Sequence, residues 1–464
     1  MKKIFLYSAI SFLLLSCSKE FTRLAPISQR NVQSSYKTLA DFTVSVNGAY
    51  DALQLNGTYG RIYLLLNEMR SDNMSNGAGA SGLSASLEDI DKFREITTAT
   101  EISNCWADSY KGIARCNIIL DNIDASDFDI TLKNQYKGES LFIRSLLYYN
   151  LVVLFGNIPL QLTDISSPSA ISVSQVPAAD VYKQIIADLI KAEPMLPAVY
   201  TGTNIGRVTS GAVDALLGKI YLTTGDKSAA ATYLRKVMSS SKYSLVSDYA
   251  KLWGVAYENG PESIFEVQFK TGGQGEGSGY LEYFASILGR SGGVGGGNSN
   301  MDITADMRAA YATGDLRYNK SLYKNSILPD TSYVKKYLGI QSTAFDGDNN
   351  WVVVRYADVL LMLAESLGET AEAYTLINQV RTRSGLPAID AATPGTFATK
   401  LLAERRVEFA FENQRWQDLL RFGAAKTVLA KQLNITEATV RLLYPIPQKE
   451  IDVSNGKIVQ NPGF

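Results

Sequence analysis

Histidine is missing altogether from this chain of 464 residues. Its absence excludes Ser-His-Asp triads, Cys-His dyads and zinc sites of the H-E-x-x-H type. Catalysis would have to rely on carboxylates alone, as it does in glycoside hydrolases. Because Asp and Glu are plentiful in ordinary soluble proteins, their presence does not indicate catalysis. We expect a protein that is not an enzyme, with a carboxylate-only surface glycoside hydrolase as the alternative.

Cysteine is scarce, with three residues in the whole chain. Cys105 and Cys116 fall in one segment that is predicted to be a helix. Eleven residues of helix separate two positions by about 16 Å, which is far beyond the span of a disulfide. We expect both to be buried free thiols, so that core packing and not a disulfide framework holds the fold together.

An excess of charge of either sign is also lacking, since 45 Lys and Arg face 46 Asp and Glu without a basic block. Nucleic acid is therefore not an expected partner. The segment 346–350 is rich in oxygen ligands, but its spacing departs from that of a calcium loop. We predict a solvated turn at 346–350, and we expect neither a cofactor nor a bound metal.

Long hydrophobic runs are absent except at residues 4–15, which follow two lysines. This run is too short to cross a bilayer comfortably and is typical of an export signal. It ends in the letters LLSC at 14–17, which resemble the site where bacterial lipoproteins are cut and acylated. We expect residues 1–16 to be a lipoprotein signal peptide and Cys17 to carry a lipid. An ordinary cleaved signal is the alternative.

Apolar residues recur at helical spacing through much of the chain, which predicts a mainly α fold. The pattern forms pairs of helices, and in the clearest pair the letters LGKIY at 217–221 resemble a tetratricopeptide unit. Such pairs bury their apolar stripes against one another and leave insertions exposed. The predicted pairs are 211–238, 356–383, 39–55 with 102–123, and 136–154 with 179–196.

Two long insertions, 70–100 and 270–300, interrupt this pattern. They are rich in glycine or small polar residues and are predicted to be loops. Function tends to lie in long loops held by a rigid scaffold, although a plain surface excursion is equally compatible with either one. We therefore expect a binding site to lie in these two insertions.

Several motifs stand in a fixed order along the chain. They are ERRVEFAFENQRWQDLLRFG at 404–423, VRYADVLL at 354–361 with AE at 364–365, LYPIPQKEI at 443–451, QNPGF at 460–464, and the segments 106–123 and 144–160. Together they resemble the SusD/RagB family of nutrient-binding outer-membrane lipoproteins, over nearly the whole mature chain.

The resemblance implies a SusD-like fold, in which a tetratricopeptide-like scaffold of helical pairs carries a loop-rich, irregular ligand-binding half. It also implies that the protein faces the cell surface and forms the lid of a TonB-dependent SusC-like transporter, to which it delivers a glycan, oligosaccharide or sometimes a peptide. We divide the chain into a lipid-anchored arm (17–37), an N-terminal SusD-like region with helical pairs and ligand-binding loops (38–310) and a C-terminal SusD/RagB region (311–464). A lipid-anchored helical scaffold that binds only protein is a further alternative.

Two of the motifs are expected to be structural. Glu404, Glu408 and Glu412 share one helical face, with Arg405 three residues before Glu408, which predicts an ion-paired network that fixes this helix to the scaffold. The prolines at 445 and 447 favour an extended segment, which suits a tail strapped across the body.

A sugar presents one apolar face and a rim of hydroxyls, so its site needs an aromatic platform flanked by polar groups. The four tryptophans lie in segments predicted as scaffold, which leaves the aromatic residues of the second insertion; core packing explains these equally well. We assign no catalytic residue. The candidate ligand-binding residues are Asp72, Asn73, Phe93 and Arg94 in the first insertion and Tyr280, Tyr283, Phe284 and Arg290 in the second.

Overall fold

The computed structural model describes residues 36–76, 83–164, 173–284, 301–324, 332–337 and 343–464. Within these ranges the protein is mainly helical, which confirms the predicted fold class. The helices up to residue 239 are α1 (Leu39–Gln54), α2 (Ile62–Met69), α3 (Leu83–Asp91), α4 (Thr100–Asn122), α5 (Ile130–Phe155), α6 (Ala178–Ala192), α7 (Ser210–Thr224) and α8 (Lys227–Ser239).

The remaining elements lie mostly in the second half of the chain. The further helices are α9 (Leu281–Phe284), α10 (Ala305–Ala309), α11 (Tyr318–Ser321), α12 (Tyr356–Leu367), α13 (Ala371–Arg383), α14 (Phe397–Glu408), α15 (Arg415–Arg421), α16 (Ala425–Leu433) and α17 (Gln448–Val453). The strands are β1 (Met74–Asn76), β2 (Ile158–Pro159), β3 (Gln175–Val176), β4 (Ser263–Val267), β5 (Met301–Ile303), β6 (Leu322–Lys324), β7 (Ser332–Val334) and β8 (Trp351–Arg355).

Eight of the helices form the four predicted pairs. α1 packs against α4, α5 against α6, α7 against α8, and α12 against α13. Neighbouring pairs also touch, α4 with α5, α6 with α7 and α8 with α12, so the eight helices follow one another in a continuous stack. This arrangement is that of tetratricopeptide-like repeats, in which each pair buries its apolar stripe against the next.

The pair α7 and α8 shows how the sequence produces this packing. Gly225 ends α7 with a φ of +88°, which glycine adopts freely, and the Asp226 carboxylate caps α8 by accepting from the N–H of Ala229 at 2.9 Å. A Cβ on Gly218 would lie only 2.5 Å from Leu234 Cδ2. Glycine at 218 therefore allows the close approach of the two helices.

The strands form antiparallel two-stranded sheets within the described ranges and join distant parts of the chain. β1 pairs with β5, and β4 pairs with β8 so that Ser263 lies opposite Arg355. The two insertions contain β1, α3 and α9, so the prediction of loops is wrong for these parts. The reason is visible in α3, where Leu87 and Ile90 are buried and anchor a short helix within a stretch whose composition is typical of a loop.

The predicted ion-pair network is present around the end of α14. Glu408 Oε1 accepts from Arg355 Nη1 at 2.5 Å and from Arg383, and its Oε2 accepts from Arg317 Nη1 at 3.0 Å. Burial alone would raise the pKa of Glu408, but the three guanidinium groups hold it well below its usual value. Glu408 is therefore a carboxylate at neutral pH, and it ties β8, α13 and the start of α11 to α14.

The two other acids of this motif extend the network. Each is buried and accepts hydrogen bonds from two cationic side chains, namely Arg317 and Arg381 for Glu404, and Lys336 and Arg355 for Glu412. The network therefore connects elements that are distant in sequence, as predicted. The prediction of one shared helical face is wrong for Glu412, because α14 ends at Glu408 and Phe411 turns the chain with a φ of +66°.

The spacing of Arg405 and Glu408 is misleading, because these two residues do not pair. Arg405 instead donates to Asp358 at 2.8 Å and to Asp418 at 2.9 Å. The reason is that guanidinium groups from three other elements already occupy the carboxylate of Glu408. Asp358 also pairs with Lys219 at 2.9 Å, so that Arg405 links α14 to α12 and, through Asp358, to α7.

The C-terminal segment crosses the body as an extended strap, as its prolines predict. The Tyr444 N–H donates to the Leu154 carbonyl, and its phenol donates to the Leu66 carbonyl, both at 2.8 Å. Asn461 Nδ2 donates to the carbonyl of Phe155 at 2.9 Å and to that of Tyr444 at 2.7 Å. These hydrogen bonds fix the strap to the C-terminal ends of α2 and α5.

Cys105 and Cys116 are buried free thiols, as predicted, and burial raises the pKa of each to about 12. Among the described residues, no helix combines the length and apolarity that a membrane crossing requires. The predicted signal peptide and Cys17 lie outside the described residues, and the predicted boundary at residue 310 stays a prediction.

Candidate functional site

Asp72 and Asn73, the first two candidate residues, are buried and bound to cationic side chains. Both Asp72 oxygens accept from Arg415, at 2.6 and 2.8 Å, and Asn73 Oδ1 accepts from Arg406 at 2.9 Å. Burial would raise the pKa of Asp72, but Arg415 and Arg406 hold it below its usual value. These two residues fasten the start of the first insertion to α14 and α15, so the prediction of ligand contact is corrected to a structural role.

Phe93 and Arg94 take different places. The Phe93 ring is buried against the guanidinium of Arg70, whose Cζ lies 4.7 Å from the ring centre, and this packing replaces its predicted contact with a ligand. Arg94 is exposed and pairs with Asp89 at 2.9 Å. Of the four candidates in the first insertion, Arg94 alone keeps a side chain in solvent, and its role in binding stays a prediction.

The aromatic candidates of the second insertion are also buried. Tyr280 and Phe284 contact Tyr337, and the Tyr280 phenol donates to the backbone carbonyl of Asn350 at 3.0 Å. Together with the similarly buried Tyr283 they form an aromatic layer of the core, which is the alternative that the sequence left open. Arg290 lies outside the described residues.

One exposed aromatic residue lies above this layer. Phe345 is 43% exposed, and its ring centre is 6.0 Å from that of Tyr283. The Tyr283 phenol in turn accepts from Arg61 Nη1 at 2.8 Å, and the Arg61 guanidinium carbon lies 5.5 Å from the centre of the Tyr283 ring. We call Phe345, Tyr283 and Arg61, together with Gly279, the Phe345 face.

Two features of the backbone indicate that this face is a built feature. Phe345 has a φ of +61°, a left-handed conformation that costs a bulky residue about 1–3 kcal/mol. The N–H of Gly279 donates to the Gly60 carbonyl at 3.3 Å, and a Cβ at 279 would touch both that carbonyl and the Phe345 ring. The strained backbone at Phe345 and the close backbone contact at Gly279 therefore hold the Phe345 ring at the surface.

The predicted turn at 346–350 supports this ring. Asp346 Oδ2 accepts from the backbone N–H groups of Gly272 and Gly273 at 2.9 and 3.0 Å, and these bonds lower the pKa of Asp346. Asp348 Oδ1 accepts from the N–H of Thr271 at 2.7 Å. Most of the segment is buried, so the expectation of a solvated turn is wrong. The carboxylates find backbone donors in the second insertion, 70 and more residues earlier in the chain.

The Phe345 face combines an exposed apolar ring with the half-buried guanidinium of Arg61. Small-molecule sites commonly pair an apolar surface with a few oriented polar groups.

Sequence reasoning did not find Phe345 or Arg61. The signal that could have indicated Phe345 is an aromatic residue directly before the turn-forming letters DGD at 346–348. Its left-handed backbone and its neighbours depend on contacts between distant segments, and a single sequence does not reveal these.

Comparison with known protein families assigns the chain. The SusD family model matches residues 318–464, and a SusD-like model described as "Starch-binding associating with outer membrane" matches residues 25–222. The chain belongs to the SusD/RagB family. Its mainly helical, tetratricopeptide-like fold is that of SusD-like structures.

Relatives within the family match along nearly the whole chain. SusD-like protein P2 of Formosa agariphila is 27% identical, with 93% of this chain and 94% of the relative aligned. Two solved structures cover 92% of this chain and 100% of their own, each with a TM-score of 0.81: a laminarin-binding SusD-like protein (28% identical) and surface glycan-binding protein A from Bacteroides fluxus (26% identical). Surface glycan-binding protein A from Bacteroides thetaiotaomicron, in complex with laminarihexaose, shares the fold at 24% identity and a TM-score of 0.78.

Proposed function

We propose that this protein captures a glycan at the cell surface and performs no chemistry on it. The observation that carries the proposal is the match over 92% of the chain to a laminarin-binding SusD-like protein, at 28% identity. A β-glucan of the laminarin kind is accordingly the first ligand to test. A fold does not by itself determine the ligand, so the choice of glycan rests on that similarity alone.

The Phe345 face supports the proposal as the place of binding. The ring of Phe345 offers an apolar surface for one face of a pyranose, and the half-buried guanidinium of Arg61 offers a donor for hydroxyls. Arg94 and Arg290 stay candidates for contact with a ligand.

The state of the acids supports capture without hydrolysis. A glycosidase needs two solvent-accessible carboxyl groups on either side of the scissile bond. Glu404, Glu408 and Glu412, the regularly spaced acids of the sequence, are at most 2% exposed and already bound to Arg or Lys. Their ion pairs are therefore structural, and their burial keeps these three acids from reaching a glycosidic bond.

We further propose that Cys17 anchors the protein by lipid to the outer membrane, where it hands its ligand to a TonB-dependent SusC-like transporter. A tether holds the binding protein near its partner at high effective concentration, so a diffusible form would deliver less. Cys17→Ala should leave the affinity of the purified protein unchanged and impair uptake by cells. Loss of affinity in the purified variant would contradict this role.

Titration calorimetry with laminarin and laminarihexaose tests the proposal. We expect Phe345→Ala to weaken binding about tenfold, the effect of losing about 1.4 kcal/mol. Tyr257→Ala is the matched control, because Tyr257 is also an aromatic residue that is 43% exposed but lies outside the Phe345 face. Chromatography of the glycan after incubation should show it intact.

Other outcomes would favour the alternatives. Shortened glycan products would support a carboxylate-only hydrolase. Binding of peptides but not glycans would change the ligand class, and capture of a transporter without any small ligand would support a protein-binding scaffold. Equal affinities of the wild type and Phe345→Ala would remove the Phe345 face from the proposal.

A further inference from the structure

A second cleft, which shares no residue with the Phe345 face, lies beside the C-terminal end of α13. It is formed by residues 247–249, the loop 311–320 and Arg383, and its volume is about 730 Å³. The Leu316 N–H donates to the Ser384 carbonyl at 3.1 Å and fixes the loop to α13. Small-molecule sites commonly enclose about 300–1,000 Å³, so the cleft has room for a ligand of one or two sugar rings.

Two buried polar groups at this cleft lack partners. Arg383 is held by Glu262 and Glu408 through its two terminal nitrogens, and its Nε has no hydrogen-bond partner among the described residues. The phenolic oxygen of Tyr311 makes no well-formed hydrogen bond among the described residues either, and the hydroxyl of Ser321 is the side-chain group that can pair with it. Buried polar atoms are rarely left unpaired, so these two atoms mark a place for an external donor and acceptor.

The remaining lining combines aromatic rings and polar groups with charges that balance in number. Tyr311 and Tyr318 pack edge to face with ring centres 5.5 Å apart, and Leu316 is 58% exposed. Asp315 is neutralised by Arg317 at 2.8 Å, and the exposed Asp248 and Lys320 add one charge of each sign. The cleft therefore offers an aromatic wall without an excess of either charge, which favours a neutral hydroxylated ligand over an ion.

We propose that this cleft is a second binding site, for a neutral saccharide of one or two rings. The Arg383 Nε donates to a ligand hydroxyl, the Tyr311 phenol accepts from or donates to another, and the tyrosine rings contact the apolar face of the sugar. The site is independent of the Phe345 face, because the two sites lie on different loops. The partly buried Trp253 and the buried Tyr337 also pack between Tyr249 of the cleft and Phe284 beneath the face.

The test uses the full mature chain carrying Phe345→Ala, so that binding at the first face is weakened, and the variants at Thr313 identify the part of the remaining binding that belongs to the cleft. The probes are four neutral disaccharides, laminaribiose, cellobiose, maltose and sucrose, followed by saturation-transfer NMR and calorimetry. Thr313→Trp fills the cleft from an exposed position of its loop, and Thr313→Ser is the matched control that keeps the hydroxyl.

We expect at least one disaccharide to bind the Phe345→Ala protein, its affinity to fall tenfold or more with Thr313→Trp, and Thr313→Ser to leave it unchanged. Tyr311→Phe should weaken it severalfold, because one hydroxyl contact is lost. If none of the four probes binds, or if binding is indifferent to Thr313→Trp, the cleft holds only water and the proposal is overturned. Either result leaves the test of the Phe345 face untouched, since that test compares polymer binding by the wild type and Phe345→Ala.

Discussion

Replacing Glu408 by Gln should destabilise the fold more than any other single isosteric change in the C-terminal motif. The side chain keeps its shape, but the carboxylate that faces Arg317, Arg355 and Arg383 loses its charge. Breaking a buried ion pair from one side costs about 3–5 kcal/mol, because the partner charge is left buried and uncompensated. Since a typical protein has about 5–15 kcal/mol of total stability, Glu408→Gln should remain folded at pH 7 with a much lower urea midpoint.

The pH dependence of this difference gives a second, independent readout. The arginines hold the pKa of Glu408 well below its ordinary value of 4.5 in the folded state. A carboxyl group whose pKa is lowered on folding stabilises the fold above its unfolded pKa, and this contribution is lost as the pH falls towards the folded pKa. The gap in unfolding free energy between wild type and variant should therefore be constant from pH 7 to 5 and shrink by about 1.4 kcal/mol per pH unit below 4.5.

Urea unfolding followed by far-ultraviolet circular dichroism measures both quantities. Glu372→Gln is the matched control, because Glu372 also pairs with an arginine, Arg235, but at the surface where solvent screens the pair. Its urea midpoint should stay close to that of the wild type. A loss below about 1 kcal/mol for Glu408→Gln, or a gap that does not change between pH 5 and 3.5, would refute the account of the network given above.

Three further predictions concern the packing of α7, a buried acid and the strained aromatic residue. Gly218→Ala should lower the free energy of unfolding by about 1–3 kcal/mol, because the added Cβ would press on Leu234. Gly48→Ala should raise the free energy of unfolding by about 1 kcal/mol, because this helical glycine has open space around it. Urea unfolding of both variants tests the prediction. Burial raises the pKa of Glu68 to about 7, so the stability that the neutral carboxyl group contributes below pH 4.5 is lost as the pH rises to 7. Glu68→Gln should therefore stabilise the protein by up to about 3 kcal/mol at pH 8 and by much less at pH 5. Phe345→Gly should be about 1 kcal/mol more stable than Phe345→Ala, because glycine tolerates the φ of +61° and alanine does not. Both variants should bind glycan weakly. Equal unfolding curves would show that the backbone at 345 is unstrained.

The scaffold could be predicted from the sequence because its signals are local. The helical pairs follow from apolar residues at a period of 3.6, and the glycine and aspartate at 225 and 226 mark the turn between α7 and α8. The prolines at 445 and 447 predict the strap, and the acids at 404 and 408 predict an ion-paired helix end. Each helix, turn and proline signal is read from a short run of consecutive residues.

The site resisted prediction because its residues are brought together by long-range contacts. Tyr280 and Phe284 look like surface aromatics within a glycine-rich stretch, but β8 and Tyr337 cover them. Asp72 likewise looks available until α15 supplies Arg415, 343 residues away in sequence. Composition identifies a loop, but it does not decide which of its side chains another segment will bury.

Phe345 is the opposite case, because it is an aromatic residue that long-range contacts keep exposed instead of burying. A ring in a left-handed backbone is held at the surface only if its surroundings fix it, and here Asp346 is bound by Gly272 and Gly273 while Gly279 lies against Gly60. These contacts make the second insertion a support for the turn and not itself the platform. The helical stack therefore depends on many packed side chains, whereas the position of the Phe345 ring depends on a few contacts around its own turn.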